Sequence, residues 1–559
     1  MDRHGSTCGA VGPQFPERRR VLGLAAAVFL STSRWPEHVS AVAQAVGGCG
    51  GFSGAAPQKC AFDVRAENLR PGSSDWRIVR AGAPRAIEGF AERVSVRPGE
   101  SVALRVSTTA AVYTVSAYRM GWYGGAMARL VWRSGRLPGK AQPAALIEAG
   151  TRTMYCDWQR TVEVDTSGWP EGCYLLRLDA GDAEGQRYVP LTLRSSSTTG
   201  RMVVVNSVAT WQAYNRWGGI DLYKGTDGKK SSRSLAVSFD RPYANAQGAG
   251  QYLVYEAPLV SLAERLGLPL AYVTGVDVAC EPRLLDGAVA MLSLGHDEYW
   301  SPEQRRHVTS ARDRGMNLAV FGANCCYRRI RYEPSALGPD RTVVCYKDDY
   351  AQDPGFQRGL PPTNDYRRRP MPDPESSLLG VLYDGYPVDA PLVVSRPEHW
   401  ALKGTGARLG DSFPHLVGVE FDRVNPARPT PRPVEILAHS PVVRKGKPSH
   451  ADMTYCSLPG GAGVFATGTM RWVEALKATG PGRGTVNHGL GGRAGHFTRT
   501  VTANVLRAFA EGPVGGPRPA LDNVGDYYRQ DGVPIARSTR RPPVPVTVPR
   551  VPYVSLGGV

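Results

Sequence analysis

The chain has 559 residues, 42% of them hydrophobic, with 64 glycines and 45 prolines. That is too long for one ordinary core and too apolar for a disordered chain, so two domains with tails are expected. The formal net charge is +17, but the arginines form no stripe interleaved with aromatics and no nucleic-acid motif appears, which reads as a basic surface rather than a nucleic-acid site.

The elements follow in chain order. Arg18, Arg19 and Arg20 precede Val21-Leu22-Gly23-Leu24 and an Ala-rich run to Leu30. Consecutive arginines before a modest apolar segment predict a twin-arginine-type signal over 1–45, with Ala41-Val42-Ala43 as the cleavage site. The apolar run is ~10 residues, against ~20 needed to span a bilayer, and no later stretch is long enough either. Export to the periplasm, the medium or the cell envelope is expected, with no transmembrane segment. Residues 46–60 are a Gly-rich linker. Of the ten cysteines, Cys8 leaves with the signal and an odd number remains. Cys156 and Cys173 lie in neighbouring strand-like segments and are the favoured disulfide pair. No Cys/His spacing suggests structural zinc.

From residue 61 to 197 the grammar is β. Short alternating runs at 94–96, 102–106, 113–118, 161–164, 172–178 and 188–193, with turns such as Pro98-Gly99, predict a β-sandwich. After the small polar run 195–200 the grammar changes. Apolar strands at 202–205, 270–273, 288–294 and 318–321 alternate with helices at 257–266 and 302–314, Ser301 capping the latter. This predicts a doubly wound, parallel α/β domain over 198–515. Residues 327–414 are too long for a connection and read as a functional insertion. Strands return at 415–421, 433–438 and 463–467, and a helix at 498–510; residues 516–559 form a Pro-rich basic tail.

Open α/β sheets bind ligands beyond the carboxyl ends of their strands. Four predicted strands end there in polar residues: Asn206, Thr210, Trp211 and Tyr214; Thr274 and Asp277; Gly295-His296-Asp297-Glu298-Tyr299-Trp300; and Gly322-Ala323-Asn324. Asn206, Trp211, Tyr214 and Asp277 are expected to line the pocket. If the run at 295–300 is extended, His296 and Glu298 share one side, Asp297 and Tyr299 the other. Either His296 or Glu298 would serve as general base. No Gly-x-Ser-x-Gly elbow, phosphate loop or dinucleotide fingerprint appears.

Particular motifs stand out in this order: Tyr118-Arg119-Met120-Gly121-Trp122-Tyr123-Gly124-Gly125, then 210–219 (TWQAYNRWGG), 238–243 (SFDRPY), the run at 295–300, and Phe321-Gly322-Ala323-Asn324. Over residues 85–510 the chain resembles the family related to the large (beta) subunit of N,N-dimethylformamidase. The resemblance implies an α/β domain resembling a class I glutamine amidotransferase-like core. It also implies a hydrolase of linear amides in which a single iron, held by two tyrosines and a glutamate, activates water. Oxygen-only ligands suit hard ferric iron. Carried onto this sequence, the metal ligands are expected at Tyr299, Glu375 and Tyr255, with Tyr252 and Tyr272 competing for the last place. His296, Glu298 and Asn324 are the expected catalytic residues. The partner is a small amide or similar molecule, with room for a homo-oligomer or a small partner subunit. The alternative is a non-catalytic cell-surface or carbohydrate-binding protein on the same scaffold. The Trp122 and Trp211 motifs read as packing turns.

Overall fold

Two largely antiparallel sheets follow a short helix, Val64–Asn68, at the start of the described chain. The smaller joins Ile87–Ala91, Ser101–Thr108 and Val162–Asp165; the larger centres on Val112–Met120, Gly172–Ala180 and Gly185–Leu193. Alternate residues of a strand face opposite sides. Val102, Leu104 and Val106 of the first sheet therefore share a core with Val115, Ala117, Leu176 and Leu178 of the second. The opposite face of the larger sheet is also covered: Tyr118, Met120, Cys173 and Leu175 pack into the core of the following α/β layer, with Val204 and Tyr272. The computed structural model describes residues 62–181, 185–477 and 488–533, so the expected signal, the expected 46–60 linker, Cys8, Cys49, Cys60 and the chain beyond 533 lie outside the described residues. Residues from 61 onward form one unit, and the expected boundary at 197/198 is crossed by a shared core.

The Tyr118–Gly125 motif fastens this junction. Arg119 is fully buried and donates from Nη2 to Glu264 Oε1 at 2.8 Å and from Nη1 to Glu264 Oε2 at 3.1 Å. Glu264 lies on the Ala257–Arg265 helix, and Tyr272 OH donates to the same carboxylate at 2.5 Å. The strand alternation that turns Cys173 toward the α/β layer also overturns the expected disulfide. Cys173 donates to Asn206 at 3.3 Å, Cys156 packs with Phe90 and Trp158, and both thiols are free.

The α/β layer is built on a seven-stranded sheet. Leu270–Thr274, Met202–Asn206, Ala290–Gly295, Asn317–Gly322 and Gly463–Ala466 lie side by side and parallel; Lys447–Ser457 and Val434–Arg444 complete the sheet antiparallel. The parallel strands are buried throughout, which is why they read as apolar runs rather than alternating ones. The Pro302–Asp313 helix starts where expected, Ser301 Oγ accepting from Gln304 N at 3.2 Å. The expected all-parallel layer is corrected in two places. Its far edge is antiparallel, and the insertion contributes a long ribbon, Leu382–Val393 paired with Ser412–Arg423. Part of the expected tail is also folded. Asn523 accepts from Ile436 N at 2.7 Å and donates to Ile436 O at 3.1 Å, filling ladder positions on the edge strand. No helix among the described residues is long and apolar enough to cross a membrane.

Candidate functional site

The parallel strands end together, and their backbones come very close there. A Cβ on Gly322 would lie 1.8 Å from Gly295 O, so only glycine lets these two strand ends run side by side. Gly295 itself has φ +54 and turns the chain into the His296–Trp300 run. Tyr299–Trp300 then pairs in parallel with Arg328–Arg329. From the neighbouring strand, Val208–Ala213 forms a short helix whose Thr210 Oγ1 accepts from Glu298 N at 3.1 Å and Tyr299 N at 3.2 Å. This clasp sets Tyr214, at the end of that helix, against Glu298.

A chain of phenols ends on that carboxylate. Tyr299 OH donates to Tyr223 OH at 2.7 Å, Tyr223 OH to Tyr214 OH at 2.7 Å, and Tyr214 OH to Glu298 Oε2 at 2.6 Å. Tyr223 OH is also 3.1 Å from Glu298 Oε2. Arg328 Nε reaches Glu298 Oε1 at 3.3 Å, and Lys347 Nζ sits 3.3 Å from the Tyr223 ring centroid while donating to Leu222 O at 2.8 Å. Burial opposes the Glu298 carboxylate, but His296, Arg328 and Lys347 outweigh it and hold this acid below the usual range. Burial and the Glu298 charge push the Tyr214, Tyr223 and Tyr299 phenols up. Burial, then Arg328, pulls Lys347 down to about 7.

Beside the phenols stands a second group. His296 Nδ1 is 3.2 Å from Gln251 Oε1, and its ring lies between Tyr214 and Tyr255, at 4.8 and 5.5 Å. His296 Nε2 is 3.5 Å from Glu298 Oε2, an ion-pair distance without hydrogen-bond geometry. Glu420, from the Ser412–Arg423 ribbon, interacts with His296, Glu298 and Asn324. Burial, with the Glu298 charge, raises its carboxyl. His296 Nε2, Glu420 Oε2 and Asn324 Oδ1 are buried without a hydrogen-bond partner. Buried polar atoms left unpaired are costly, so three of them in adjoining residues mark a place where a water or a polar ligand is received.

Asn324 has φ +60, and Asp422 Oδ1 accepts from its backbone N–H at 2.9 Å. Burial raises Asp422 to about 8, against the Asn324 bond and with help from Glu375 and Glu420. Its folded-state value thus exceeds its unfolded value of ~3.9, so folding favours the protonated acid. The stability it contributes is complete below that unfolded value and is lost as pH rises through about 8. Asp422→Asn, which keeps the acceptor and cannot ionise, is expected to lose less thermal stability than wild type between about pH 6 and 9. Equal losses in melting scans at both pH values would remove Asp422 as the cause.

The structure brings Tyr214, His296, Glu298, Tyr299 and Asn324 together, with Tyr255 against the His296 ring. His296 and Glu298 share a side as expected. Asp297 turns away and accepts from Ser293 at 3.0 Å, whereas the Tyr299 hydroxyl reaches the Glu298 side. Other expectations are corrected. Glu375 is engaged elsewhere: Arg367 pairs with it and Tyr383 N donates to it at 3.1 Å, and no hydrogen bond joins it to Tyr299 or Tyr255 among the described residues. Asn206 and Trp211 donate to Glu256 at 2.6 and 2.8 Å and line a separate small cavity with Cys173 and Tyr252, away from Glu298. Asp277 closes a capping box with Thr274 and accepts from Ser95 at 2.6 Å. Tyr223, Arg328, Lys347 and Glu420 escaped the sequence reading. Glu420 had a signal: two acids, Glu420 and Asp422, alternate with apolar residues in a strand-like run.

Among the described residues, no group of three or more His, Cys, Asp or Glu side chains is placed to hold a metal, so a metal here would rest on the phenols. The Tyr214, Tyr223 and Glu298 oxygens lie 2.6–3.1 Å from one another, spacings that oxygen ligands adopt around a small hard cation with bonds of about 2 Å. The donor set therefore fits. A family model described as N,N-dimethylformamidase beta subunit-like, C-terminal, matches residues 114–487. No curated protein compared with the chain matches it.

Proposed function

Because the chain belongs to the N,N-dimethylformamidase beta subunit-like family, we propose that it is a metal-dependent hydrolase of non-peptide amide C–N bonds. The observation that carries the proposal is the convergence of Tyr214, Tyr223 and Glu298 oxygens beside three unpartnered buried polar atoms. Tyr214, Tyr223 and Glu298 would hold iron, with Tyr299 bonded behind Tyr223. Bound iron supplies Lewis acidity, which polarises a carbonyl and acidifies water.

The protein's own groups handle protons and orientation. Glu420 Oε2 accepts a proton from the attacking water, and its raised affinity lets it pass that proton to the departing amine nitrogen. His296 Nε2, oriented by Gln251 on its other nitrogen, donates toward the reacting oxygen. Asn324 Oδ1 accepts from the substrate or the water. Tyr214 and Tyr255, flanking His296, limit the substrate to a small molecule.

Two measurements on one variant test this. Glu420→Gln is expected to keep its iron and lose at least about a hundredfold in turnover of small formamides or acetamides. In wild type, turnover is expected to fall on the acid side at a pH above the ordinary carboxylate range of about 4, as Glu420 takes up its proton. Purified wild type without stoichiometric iron from iron-sufficient cells would sink the metal-dependent reading, and undiminished turnover in Glu420→Gln would sink the assignment of the base.

Two wider readings belong to the same proposal. The paired N-terminal sheets are a β-sandwich, supported by their common core, and the parallel strands an amidotransferase-like core, supported by their order. The protein is exported by the twin-arginine route, supported by Arg18 to Arg20 ahead of the apolar run. Retention of a 1–45 reporter fusion in the cytoplasm would count against export.

A further inference from the structure

Arg328 and Arg329 are successive residues of one short strand, so their side chains leave on opposite sides. Arg328 turns to Glu298. Arg329 lines a groove of about 940 Å³ between the Pro302–Asp313 helix and the 361–373 loop. It is only 3% exposed, and its hydrogen-bond partners are neutral: Asn364 Oδ1 at 3.1 Å, Met371 O at 2.5 Å and Pro362 O at 3.5 Å. Among the described residues no carboxylate lies within ion-pair distance of it, and Asp373, which attracts it from farther off, is bound to Arg305. Its guanidinium lies 4.6 Å from the Tyr366 ring centroid, and that of Arg305 lies 5.4 Å from the same ring.

Arg305, 4% exposed, also lines the groove, and its Nε has no partner. Its carboxylate partner is Asp373, itself half exposed. Arg306 is exposed, has no ion-pair partner among the described residues, and lies 3.3 Å from the neighbouring His307 ring nitrogen. The remaining charges on the groove wall are engaged outward: Arg314 pairs with Asp286, and Asp313 with Arg312. The Pro302–Asp313 helix spans 12 residues and opens on the groove at Pro302, adding the positive end of its dipole. A buried guanidinium without a counter-ion is unfavourable unless something supplies the missing charge.

We infer that this groove binds a small anion bearing carboxylate or phosphate groups, held by Arg329, Arg305 and Arg306 beside the helix start. The site lies on the far side of the Arg328–Arg329 strand from the tyrosines, and it stands whether or not the chain hydrolyses amides. Guanidinium forks suit bidentate carboxylate and phosphate oxygens.

Thermal unfolding of the full chain tests it, with citrate or inorganic phosphate replacing sodium chloride at constant ionic strength. A saturable rise in melting temperature is expected with at least one of the two, and the stronger identifies the anion class. Arg329→Met leaves the Asn364, Met371 and Pro362 oxygens without a donor and is expected to melt somewhat lower without anion, but to show no saturable rise. Arg306→Ala, an exposed change that leaves the fold intact, is expected to weaken the apparent affinity about tenfold. No saturable rise in wild type, or an undiminished response in Arg306→Ala, overturns the inference.

Discussion

Tyr223→Phe, Tyr214→Phe and Glu298→Gln are each expected to give a folded protein that retains no iron and turns over no amide. Each change removes one of the three oxygens that lie within 2.6–3.1 Å of one another. The two Tyr→Phe changes remove little apolar surface, so their circular dichroism and melting should stay close to wild type; Glu298→Gln also takes a counter-charge from His296 and Arg328 and should melt lower. Tyr223 is the most sensitive position. Burial and the Glu298 charge resist its ionisation, and Arg328 is the cation that favours it. Three further variants separate this ligand set from the one first read in the sequence. Tyr299→Phe loses only the bond to Tyr223 and should keep iron, more weakly held. Tyr255→Phe should keep iron outright. Glu375→Gln should also keep it, and lose stability because Arg367 then lacks its counter-charge. Metal content and the tyrosinate-to-iron absorption band decide. Iron retained by Tyr223→Phe and lost by Glu375→Gln would reverse the assignment.

The second large effect is on stability. Arg119→Leu is expected to destabilise the protein by about 3–5 kcal/mol, because it strands a buried Glu264 whose charge that guanidinium balances. Tyr272 and Asn68 still donate to Glu264 but cannot neutralise it. The double change Arg119→Leu/Glu264→Leu should recover much of the loss, since matched apolar groups carry no unpaired charge. Urea titration of the single and double variants measures both. A single variant within about 0.5 kcal/mol of wild type would show that the pair does not hold the layers.

The sequence disclosed the elements with a strong period and hid those without one. The parallel strands are apolar runs and the Pro302–Asp313 helix carries Ser301-Pro302 at its start, so both were legible. The ribbon strand Leu382–Val393 contains Gly385, Pro387 and Pro391, and its pairing shifts register at several points, so no clean alternation marks it. The site divides the same way. His296, Glu298, Tyr214 and Asn324 lie just past strand ends, a position the sheet topology assigns. Tyr223 returns only through the turn at Trp217–Gly219, and Glu420 arrives on the ribbon; neither approach is local. Glu375 is a ligand only by the resemblance, and its pairing with Arg367 is a matter of tertiary folding that no local pattern marks. The strand pattern around Cys173 does not say which face of its sheet meets a second layer, and that face decides its partner.

The larger N-terminal sheet is covered on both faces, and this has a consequence for biosynthesis. Tyr118, Met120 and Leu175 leave the ribosome well before Val204, Tyr272 and Glu264, the groups that cover them. The nascent chain therefore carries a sticky, half-finished sheet through the synthesis of roughly another hundred residues, a window in which chaperones would be needed to hold it. A protein that can only complete its first layer with its second closes the two together, as a single late step.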